Sequence, residues 1–389
     1  MENWTMKNCG ADLHASLTND SVTMDIPLVE SLKLGLEVLI ALFGVLGNVL
    51  VAVVICRMGK KKKQADFYLL NLAIADLGLL LFTFPLGVIK EKLPLNWPLG
   101  EFSCLYLYPI PEIFHGSSVW CITIIAIHRY LKIVTPKPTR DNRKTSLRNS
   151  KIIVGFIWVI SYFVFCLPLH FVVQYNELSN GLAACGTVWL SWDRSWILPR
   201  LYIGLVTFFS YLLPLFLIAL TYIRIGRKIN FRMKFIKDKK LQQSVISCDD
   251  GKVVSLSKMQ LRHLHQIRRI KKILTPVVVV FAITMLPLSM LRIASIWWPA
   301  VATQTYYKHL MFIVVVFVEI NSSSNPLIYS LASKDFRKRL KELFCQDCDE
   351  LMLLTALRSA DSSKIGLSSP QTRDKTCVSR DLPPCCVIV

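Results

Sequence analysis

The chain has 389 residues, of which 53% are hydrophobic, and its mean hydropathy is +0.45. One soluble core does not need so much apolar length, so this composition indicates burial in a membrane. The formal net charge of +20 would suit nucleic acid, but the Lys and Arg residues fall in blocks between apolar runs. Loop charge of this kind indicates membrane topology and argues against a nucleic-acid partner.

Residues 1–32 form a polar amino-terminal tail. This tail lacks the basic and then apolar pattern of a signal peptide, so we expect the first hydrophobic span to act as its own insertion signal. Asn3 and Asn19 each begin an Asn-x-Ser/Thr triplet. We predict an extracellular tail that carries N-linked glycans at both positions.

Seven apolar stretches follow, and each is long enough for a helix of about 20 residues that crosses a bilayer. The predicted spans are 33–57, 66–89, 102–134, 151–173, 197–226, 268–298 and 306–331. The third span is the least obvious, because prolines and polar side chains interrupt its outer half. We therefore predict an all-α membrane protein in which residues 33–331 form a seven-transmembrane helix bundle.

The loops predict which way the bundle faces. Basic residues concentrate after the first span, between the third and fourth spans, and in segment 227–267, so this side is predicted to be cytoplasmic. The opposite side collects tryptophans, whose amphipathic rings suit a membrane interface. They are Trp97, Trp189, Trp192, Trp196, Trp297 and Trp298. We predict a plasma-membrane protein with its amino terminus outside the cell.

Residues 332–344 alternate basic and apolar side chains at helical spacing, and we predict a short amphipathic eighth helix on the inner leaflet. Residues 345–389 are a predicted disordered cytoplasmic tail, whose Ser and Thr residues are candidates for a receptor kinase and for arrestin binding. Cys345 and Cys348 are predicted palmitoylation sites rather than a zinc pair. The chain ends in a formal prenylation box, and the sequence leaves open whether Cys386 is prenylated.

Polar side chains inside the spans cost free energy unless they have a buried partner or a function. The interior set is Asn48, Asp76, Ser118, Asn321, Ser322 and Asn325. Asp76 lies at mid-depth in the second span and needs a proton or a counter-ion there, for which a hydrated cation is one solution. Direct hydrogen bonding from helix to helix is the alternative.

Landmark residues occur in order along all seven spans. They are Gly47-Asn48, Asn71-Leu72-Ala73-Ile74-Ala75-Asp76, Arg129-Tyr130, Trp158 with Pro168, Pro214 with Tyr222, Pro287, and Asn325-Pro326-Leu327-Ile328-Tyr329. With these residues the chain resembles the rhodopsin-like (class A) G-protein-coupled receptors over roughly residues 33–344. The resemblance implies a receptor that binds an extracellular ligand and activates a heterotrimeric G protein.

The resemblance also implies roles for single residues. Arg129 and Tyr130 would face the G protein. Tyr222, Asn325, Pro326 and Tyr329 would take part in activation. The family's pocket for an allosteric sodium ion would contain Asp76, Ser118, Asn321, Ser322 and Asn325, and no other cofactor is implied. Cys104 and Cys185 would form the family's usual disulfide, with two free thiols as the alternative.

Two positions depart from the family pattern. His128 precedes Arg129, where the family usually has an acidic residue, and residues 265–272 contain no carboxylate that would replace it. From the absence of this acid we predict raised basal signalling. Met285 stands two residues before Pro287, where the family frequently has Trp, so repacking on activation is expected to differ there.

Two residues argue against two classes of ligand, biogenic amines and retinal. Pro111 stands where amine receptors carry an Asp, and Glu319 stands where opsins carry the lysine that binds retinal. The candidate ligand-binding residues have both charges: Glu37, Lys90, Glu112, His115, Trp192, Arg200, Arg292 and Glu319. Both signs suit a zwitterionic or amidated peptide, and we predict a neuropeptide. A lipid or small carboxylate that binds Arg200 and Arg292 is the alternative.

Glu112 and His115 are three residues apart, so they share one helical face and are predicted to point inward. An internal ion pair among the charged side chains is the alternative to a role in ligand binding.

Two other classes of protein, transporters and enzymes, fit the sequence less well. A transporter also buries carboxylates, but the sequence lacks paired repeats with interrupted helices. An enzyme would need a nucleophile, metal or cofactor constellation, and none of the corresponding motifs is present. The chain is therefore predicted not to be an enzyme.

Overall fold

The fold is taken from a computed structural model, which describes residues 27–59, 62–93, 96–134, 143–177, 181–189, 197–245, 275–298, 300–301, 304–332 and 336–342. Within these residues, seven helices are long and apolar enough to cross a membrane. The predicted seven-helix bundle is confirmed. The predicted modification sites Asn3, Asn19, Cys345 and Cys348 lie outside the described residues, as does Trp192.

The seven helices follow the predicted spans in order. They are α1 (Pro27–Arg57), α2 (Gln64–Lys92), α3 (Gly100–Val134), α4 (from Arg143 to Val172), α5 (from Ile197 to Val245), α6 (Thr275–Trp297) and α7 (Tyr307–Ala332). Residues 268–274, the predicted start of the sixth span, lie outside the described residues.

Two helices continue beyond their predicted membrane spans. The fifth span was predicted to end near residue 226, and α5 continues to Val245; the fourth was predicted to begin near residue 151, and α4 begins at Arg143. The α5 extension is rich in Lys, Arg and Gln, which are good helix formers, and the α4 extension contains Arg143, Lys144 and Arg148. Hydropathy indicates which part of a helix lies in lipid. The full length of the helix also depends on the helix propensity of the polar residues that follow or precede the apolar run.

Four of the helices are irregular. Each of α3, α4 and α5 contains a π-helical turn, at Ser103–Leu107, Tyr162–Cys166 and Phe208–Leu212. An extra residue in a turn rotates the side chains that follow it, so faces inferred from an ideal repeat shift there. In α6 the regular helix restarts at Leu286–Trp297 with Pro287 in its first turn, because proline lacks the N–H donor that a helix interior needs.

A β-hairpin joins α4 to α5. Strands β1 (Val173–Glu177) and β2 (Ala183–Thr187) are antiparallel, with Tyr175 opposite Cys185. The disulfide between Cys104 and Cys185 ties β2 to the start of α3, as predicted. We call this end of the bundle the hairpin end and the opposite end the far end.

Trp97 lies beside this disulfide and is only 4% exposed. Its indole N–H donates to the carbonyl of Gly100 and to Ser103, at 3.1 Å in each case. The membrane-interface position predicted for Trp97 is therefore wrong, because its ring packs inside the protein. Trp297 and Trp298 are largely exposed, as an interface position requires.

Large apolar side chains cover the outside of the bundle as well as its core, and a glycine allows a close approach of two helices inside. Leu39, Leu46 and Phe156 are more than half exposed, which suits a surface that faces lipid. Inside, a Cβ at Gly78 would lie 2.2 Å from the ring of Phe114. The absence of a side chain at Gly78 therefore lets α2 approach α3 closely.

The C-terminal segment from Lys338 is a separate compact unit. Residues 336–342 are helical, and Lys338 Nζ lies 3.8 Å from Glu342 Oε1 one turn later. The full eighth helix over 332–344 and its contact with the membrane stay predictions.

Candidate functional site

A cavity of about 300 Å³ lies among α2, α3, α5, α6 and α7, next to the hairpin end. Much of its wall is apolar: Leu79, Leu86, Val206, Leu288, Val314 and Val318. The polar groups in its wall are Thr83, Lys90, Tyr108, Glu112, His115, Tyr202 and Arg292. An apolar cavity with a few polar groups is the usual form of a ligand site.

An ion pair crosses this cavity. The carboxylate of Glu112 in α3 accepts a hydrogen bond from the guanidinium of Arg292 in α6, and their side chains are 22% and 14% exposed. The internal ion pair considered from sequence is therefore present. The second carboxylate oxygen of Glu112, Oε2, is buried without a hydrogen-bond partner. It remains an acceptor for a donor group in the cavity.

His115 lies one turn along α3 from Glu112 and is 5% exposed. Both residues line the cavity, so the predicted shared inward face is confirmed. The hydroxyl of Thr83 in α2 is also buried without a hydrogen-bond partner. Unpartnered polar atoms in a closed apolar site cost about 1–3 kcal/mol each, and a ligand that bonds to them offsets that cost.

Lys90 is held at the edge of the cavity by the hairpin. Its Nζ donates to the carbonyl of Cys185 at 3.0 Å and lies 4.5 Å from the ring centroid of Tyr108. The disulfide fixes Cys185, so the hairpin fixes the carbonyl that positions Lys90. An ammonium group has three donors, which leaves further donors for a ligand.

Three other predicted ligand residues that the structure describes do not line this cavity. Glu37 and Glu319 are 2% and 1% exposed and lie in α1 and α7, away from its wall. Arg200 instead stacks over Trp297, with its guanidinium carbon 5.1 Å from the ring centroid. The sequence identified these residues by charge and depth, but which helix each one faces depends on packing.

A second polar site surrounds Asp76, which is fully buried. Ser118 Oγ donates to Asp76 Oδ1 at 2.7 Å, and Asn325 Nδ2 donates to Oδ2 at 2.8 Å. The hydroxyl of Ser322 lies beside this carboxylate without a well-formed hydrogen bond. Asn321 is held by Thr284, whose Oγ1 donates to Asn321 Oδ1 at 3.2 Å.

Two interpretations of the interior polar residues were left open, a cation site and direct hydrogen bonding between helices, and these contacts are consistent with both. Helix-to-helix bonding is present, because Asn48 Nδ2 donates to the carbonyls of Gly44 at 2.9 Å and Ser322 at 3.1 Å. The oxygens around Asp76 are carboxylate, hydroxyl and amide oxygens, which hard cations prefer. The unpartnered hydroxyl of Ser322 gives this set one oxygen that is ready to bind a cation.

At the far end, Tyr222 links α5 to α6, because Thr275 Oγ1 donates to its hydroxyl at 3.1 Å. Tyr130 of α3 packs against the bundle core. Pro326 of α7 is buried against α1, where a Cβ at Gly47 would lie 3.0 Å from its ring. The side chain of Tyr329 lies outside the described part of the structure.

His128 stands where the family usually has an acidic residue, and it contacts α2. Its Nε2 and Oε1 of Gln64, the first residue of α2, are 2.9 Å apart. Its ring also meets the ring of Tyr68 edge to face, with centroids 5.5 Å apart. Arg129, the next residue in the chain, also has an interaction partner in the structure. The far end of α3 is therefore bonded to α2, although the acid expected from the family is absent.

The family model described as 7 transmembrane receptor (rhodopsin family) matches residues 47–329. The chain belongs to this family. It is 28% identical to galanin receptor type 1 of Mus musculus over 320 residues, which cover 80% of this chain and 81% of that receptor. It is 27% identical to somatostatin receptor type 2 of Sus scrofa over 309 residues, 79% and 75% of the two chains. Somatostatin receptor type 5 of Rattus norvegicus is 26% identical over 314 residues, 80% and 77% of the two chains.

This rhodopsin-family member is thus a multi-pass membrane receptor and not an enzyme, as predicted. The contacts that were not predicted include Gln64 with His128, Thr284 with Asn321, and Tyr202 with the carbonyl of Phe165, to which its hydroxyl donates at 2.8 Å. Each joins residues on different helices. For the first of these contacts the sequence offered a local signal, because Gln64 is a polar residue at the end of a span and needs a partner there.

Proposed function

We propose that this receptor is a neuropeptide receptor of the plasma membrane, whose hairpin end faces the extracellular medium and whose far end activates a heterotrimeric G protein. The observation that carries the proposal is the cavity crossed by the Glu112–Arg292 ion pair. The galanin and somatostatin receptors among its relatives support a peptide ligand. A receptor kinase and arrestin are the further partners proposed for the C-terminal tail.

The cavity offers a peptide both apolar surface and hydrogen bonds. One apolar side chain of the peptide would be buried against the leucines and valines of the wall, at a gain of about 1.5–3 kcal/mol. A donor on the peptide would bond to the unpartnered Oε2 of Glu112. Lys90 and Arg292 supply donors for a carbonyl or carboxylate, which accounts for both signs of charge in the cavity.

The cavity also lies on the helices that hold the buried polar site. Leu79 lines the cavity three residues after Asp76 in α2, and Val318 lines it three residues before Asn321 in α7. Residues three apart in a helix share a face within one turn. A peptide that displaces these two side chains therefore acts directly on α2 and α7, and helix shifts at such interfaces are a common form of switching.

We also propose that the oxygens around Asp76 form an allosteric sodium site that favours the inactive state. Asp76, Ser118, Asn321, Ser322 and Asn325 would hold the ion, and a bound Na⁺ would supply the positive charge that the buried carboxylate needs. The short bonds from Ser118 and Asn325 to Asp76 support the proposal, because they orient the carboxylate within the bundle.

A lipid or small carboxylate is the alternative ligand. Arg292 lies in a mostly apolar cavity, which would suit a fatty carboxylate. Its guanidinium is already paired with Glu112, however. An anionic ligand would therefore have to compete with the Glu112 carboxylate, which belongs to the receptor and cannot leave the cavity. A peptide that bonds to both members of the pair has no such competition, and the geometry favours the peptide.

The test is G-protein activation in cells that express the full chain, with a panel of neuropeptides that includes galanin and somatostatin. We expect at least one peptide to activate the receptor. Arg129→Ala should remove the response and Glu112→Gln should lower the potency of the peptide about tenfold or more. Glu101→Gln is the matched control, because Glu101 is exposed outside the cavity.

Two results would contradict this proposal. A response to fatty or small carboxylates with none to peptides would favour the alternative ligand. Silence with every peptide of the panel, despite surface expression and a response to another class of ligand, would contradict the peptide assignment while leaving the family of the receptor unchanged.

A further inference from the structure

Tyr202 of α5 is a polar group in the wall of the ligand cavity, and the proposed function assigns it no role. Its hydroxyl donates to the carbonyl of Phe165 in α4 at 2.8 Å. Phe165 lies in the π-helical turn of α4, where the backbone hydrogen bonds depart from the α-helical pattern. A tyrosine hydroxyl has one proton to donate and can also accept. Because its proton is directed to Phe165, Tyr202 offers the cavity an acceptor and no donor.

Contacts on two sides hold Tyr202 in this orientation. Trp189, which follows strand β2, packs against its ring, with the centroids 5.6 Å apart. Phe165 is completely buried, and its ring leaves no room for a Cβ at Gly116 of α3. Gly116 is four residues after Glu112, which is one turn of α3. Tyr202 is therefore bonded to a residue that packs one turn from Glu112.

The carboxylate of Glu112 is a second acceptor in the same cavity. It accepts from Arg292, and its Oε2 is buried without a hydrogen-bond partner. Two acceptors on neighbouring parts of the wall favour a ligand group that carries more than one N–H. Arg292 lies beside them, and its guanidinium has donors beyond the one bonded to Glu112. A ligand oxygen can therefore be bound next to the ligand N–H groups.

Charge narrows the choice of this ligand group. A carboxylate brings no donor and places a second negative charge beside Glu112. An ammonium group brings donors but places a second positive charge beside Arg292. Like charges repel strongly where water is largely excluded. A neutral carboxamide has two N–H donors and one carbonyl acceptor, so it bonds to both acceptors and to Arg292 without adding charge.

The rest of the cavity indicates where in a peptide this carboxamide is. The volume of about 300 Å³ is at the small end of ligand cavities, which suits a chain terminus better than a segment that enters and leaves. The apolar part of the wall requires an apolar side chain on the same residue. An Asn or Gln side chain supplies the amide but leaves that part of the wall uncovered.

We propose that the cavity recognises the C-terminal carboxamide of an amidated peptide that ends in an apolar residue, and that Tyr202 determines this specificity together with Glu112. The amide N–H groups donate to Glu112 Oε2 and to the hydroxyl oxygen of Tyr202, and Arg292 donates to the amide oxygen. This inference rests on the proposed function and names the part of the peptide that enters the cavity.

The test uses two small probes, N-acetyl-leucinamide and N-acetyl-leucine, which differ in having a carboxamide or a carboxylate. The melting temperature of the purified full-length receptor is measured at increasing concentrations of each probe, because a compound that binds the folded state raises it. Compounds of this size bind at about millimolar concentration. We expect the wild type to bind the amide about tenfold more tightly than the acid.

Tyr202→Phe should reduce this preference about fivefold, because it removes the acceptor and keeps the ring. Glu112→Gln, the second variant, should reduce it as well. Tyr106→Phe is the matched control, since it removes a hydroxyl from an exposed tyrosine outside the cavity wall, and it should keep the wild-type preference. If Tyr202→Phe lowers the melting temperature but keeps the preference for the amide, Tyr202 only ties α5 to α4 and its proposed role is overturned.

The proposal is also overturned if the wild type binds the acid as tightly as the amide, or if neither probe raises its melting temperature. These measurements need no G protein and no full-length peptide. A receptor that responds to peptides in cells but does not prefer the amide would therefore contradict this inference and leave the proposed function in place. Preference for the amide without any response to peptides would contradict the proposed function instead.

Discussion

Glu112 of α3 and Arg292 of α6 are paired across the cavity, although 180 residues separate them in the chain. The pair joins one helix that carries Arg129 at its far end to another whose middle is interrupted next to Pro287. The contact therefore has two effects, because it shapes the ligand cavity and it fixes α6 against α3.

Breaking this pair from one side should destabilise the receptor. Arg292→Gln leaves the Glu112 carboxylate in the cavity without its partner, at an expected cost of about 1–3 kcal/mol for a pair that is only partly buried. Glu112→Gln with Arg292→Gln should recover part of that loss. The melting temperatures of the two single variants and the double variant measure the coupling. Strictly additive losses would show that the two side chains do not interact.

The proposed sodium site predicts a stability that depends on the cation. Replacing NaCl by choline chloride at constant ionic strength should lower the melting temperature of the wild type. The expected loss is about 1.4 kcal/mol if Na⁺ is at ten times its dissociation constant. Asp76→Asn should remove the difference between the two salts, because the carboxylate that holds the ion is gone. A variant that responds to Na⁺ as the wild type does would place the ion elsewhere.

The bond between His128 and Gln64 predicts how basal signalling is restrained. Gln64→Ala removes the acceptor oxygen, and loss of about 1 kcal/mol should raise ligand-free G-protein activation about fivefold. Gln64→Glu keeps an oxygen at the same place and serves as the conservative control, with basal activity near that of the wild type. Equal basal activity in all three, at equal surface expression, would mean that this bond does not restrain α3.

The disulfide should matter for ligand binding as well as for stability. Cys104→Ser and Cys185→Ser each release β2, whose Cys185 carbonyl holds Lys90 at the edge of the cavity. We expect each variant to lower peptide potency about tenfold or more, with a loss of stability of about 2–4 kcal/mol. The double variant should be no worse than either single one. Cys56→Ser, at an exposed position, is the control and should leave potency unchanged.

Much of the fold was predictable because the signals for it are local. Each span is recognisable in the sequence as an apolar run, and the inward face shared by Glu112 and His115 follows from the helical repeat. The apolar runs did not show that α4 and α5 extend beyond the membrane, because basic and polar residues continue both helices past the apolar run. The hairpin was missed because two strands of five residues each have too short a pattern to stand out among loop residues.

The candidate site was predictable only in part. Lys90, Glu112, His115 and Arg292 line the cavity, as their charge and depth indicated, whereas Glu37 and Glu319 are buried in α1 and α7 outside its wall. All of these side chains are polar groups near the hairpin end of a span, so their charge and their depth offered no reason to separate them. The rotation of each helix about its axis separates them, and neighbouring helices set that rotation.

The apolar runs and the landmark residues therefore predicted a chain that crosses the membrane as seven helices and resembles the rhodopsin family. Those features depend on hydropathy and on residues close together in the chain. The pairing of Glu112 with Arg292 and of His128 with Gln64 was visible only in the folded bundle. Such pairs lie far apart in sequence, and they form because the packing of the bundle gives each buried polar group the partner that lipid cannot offer.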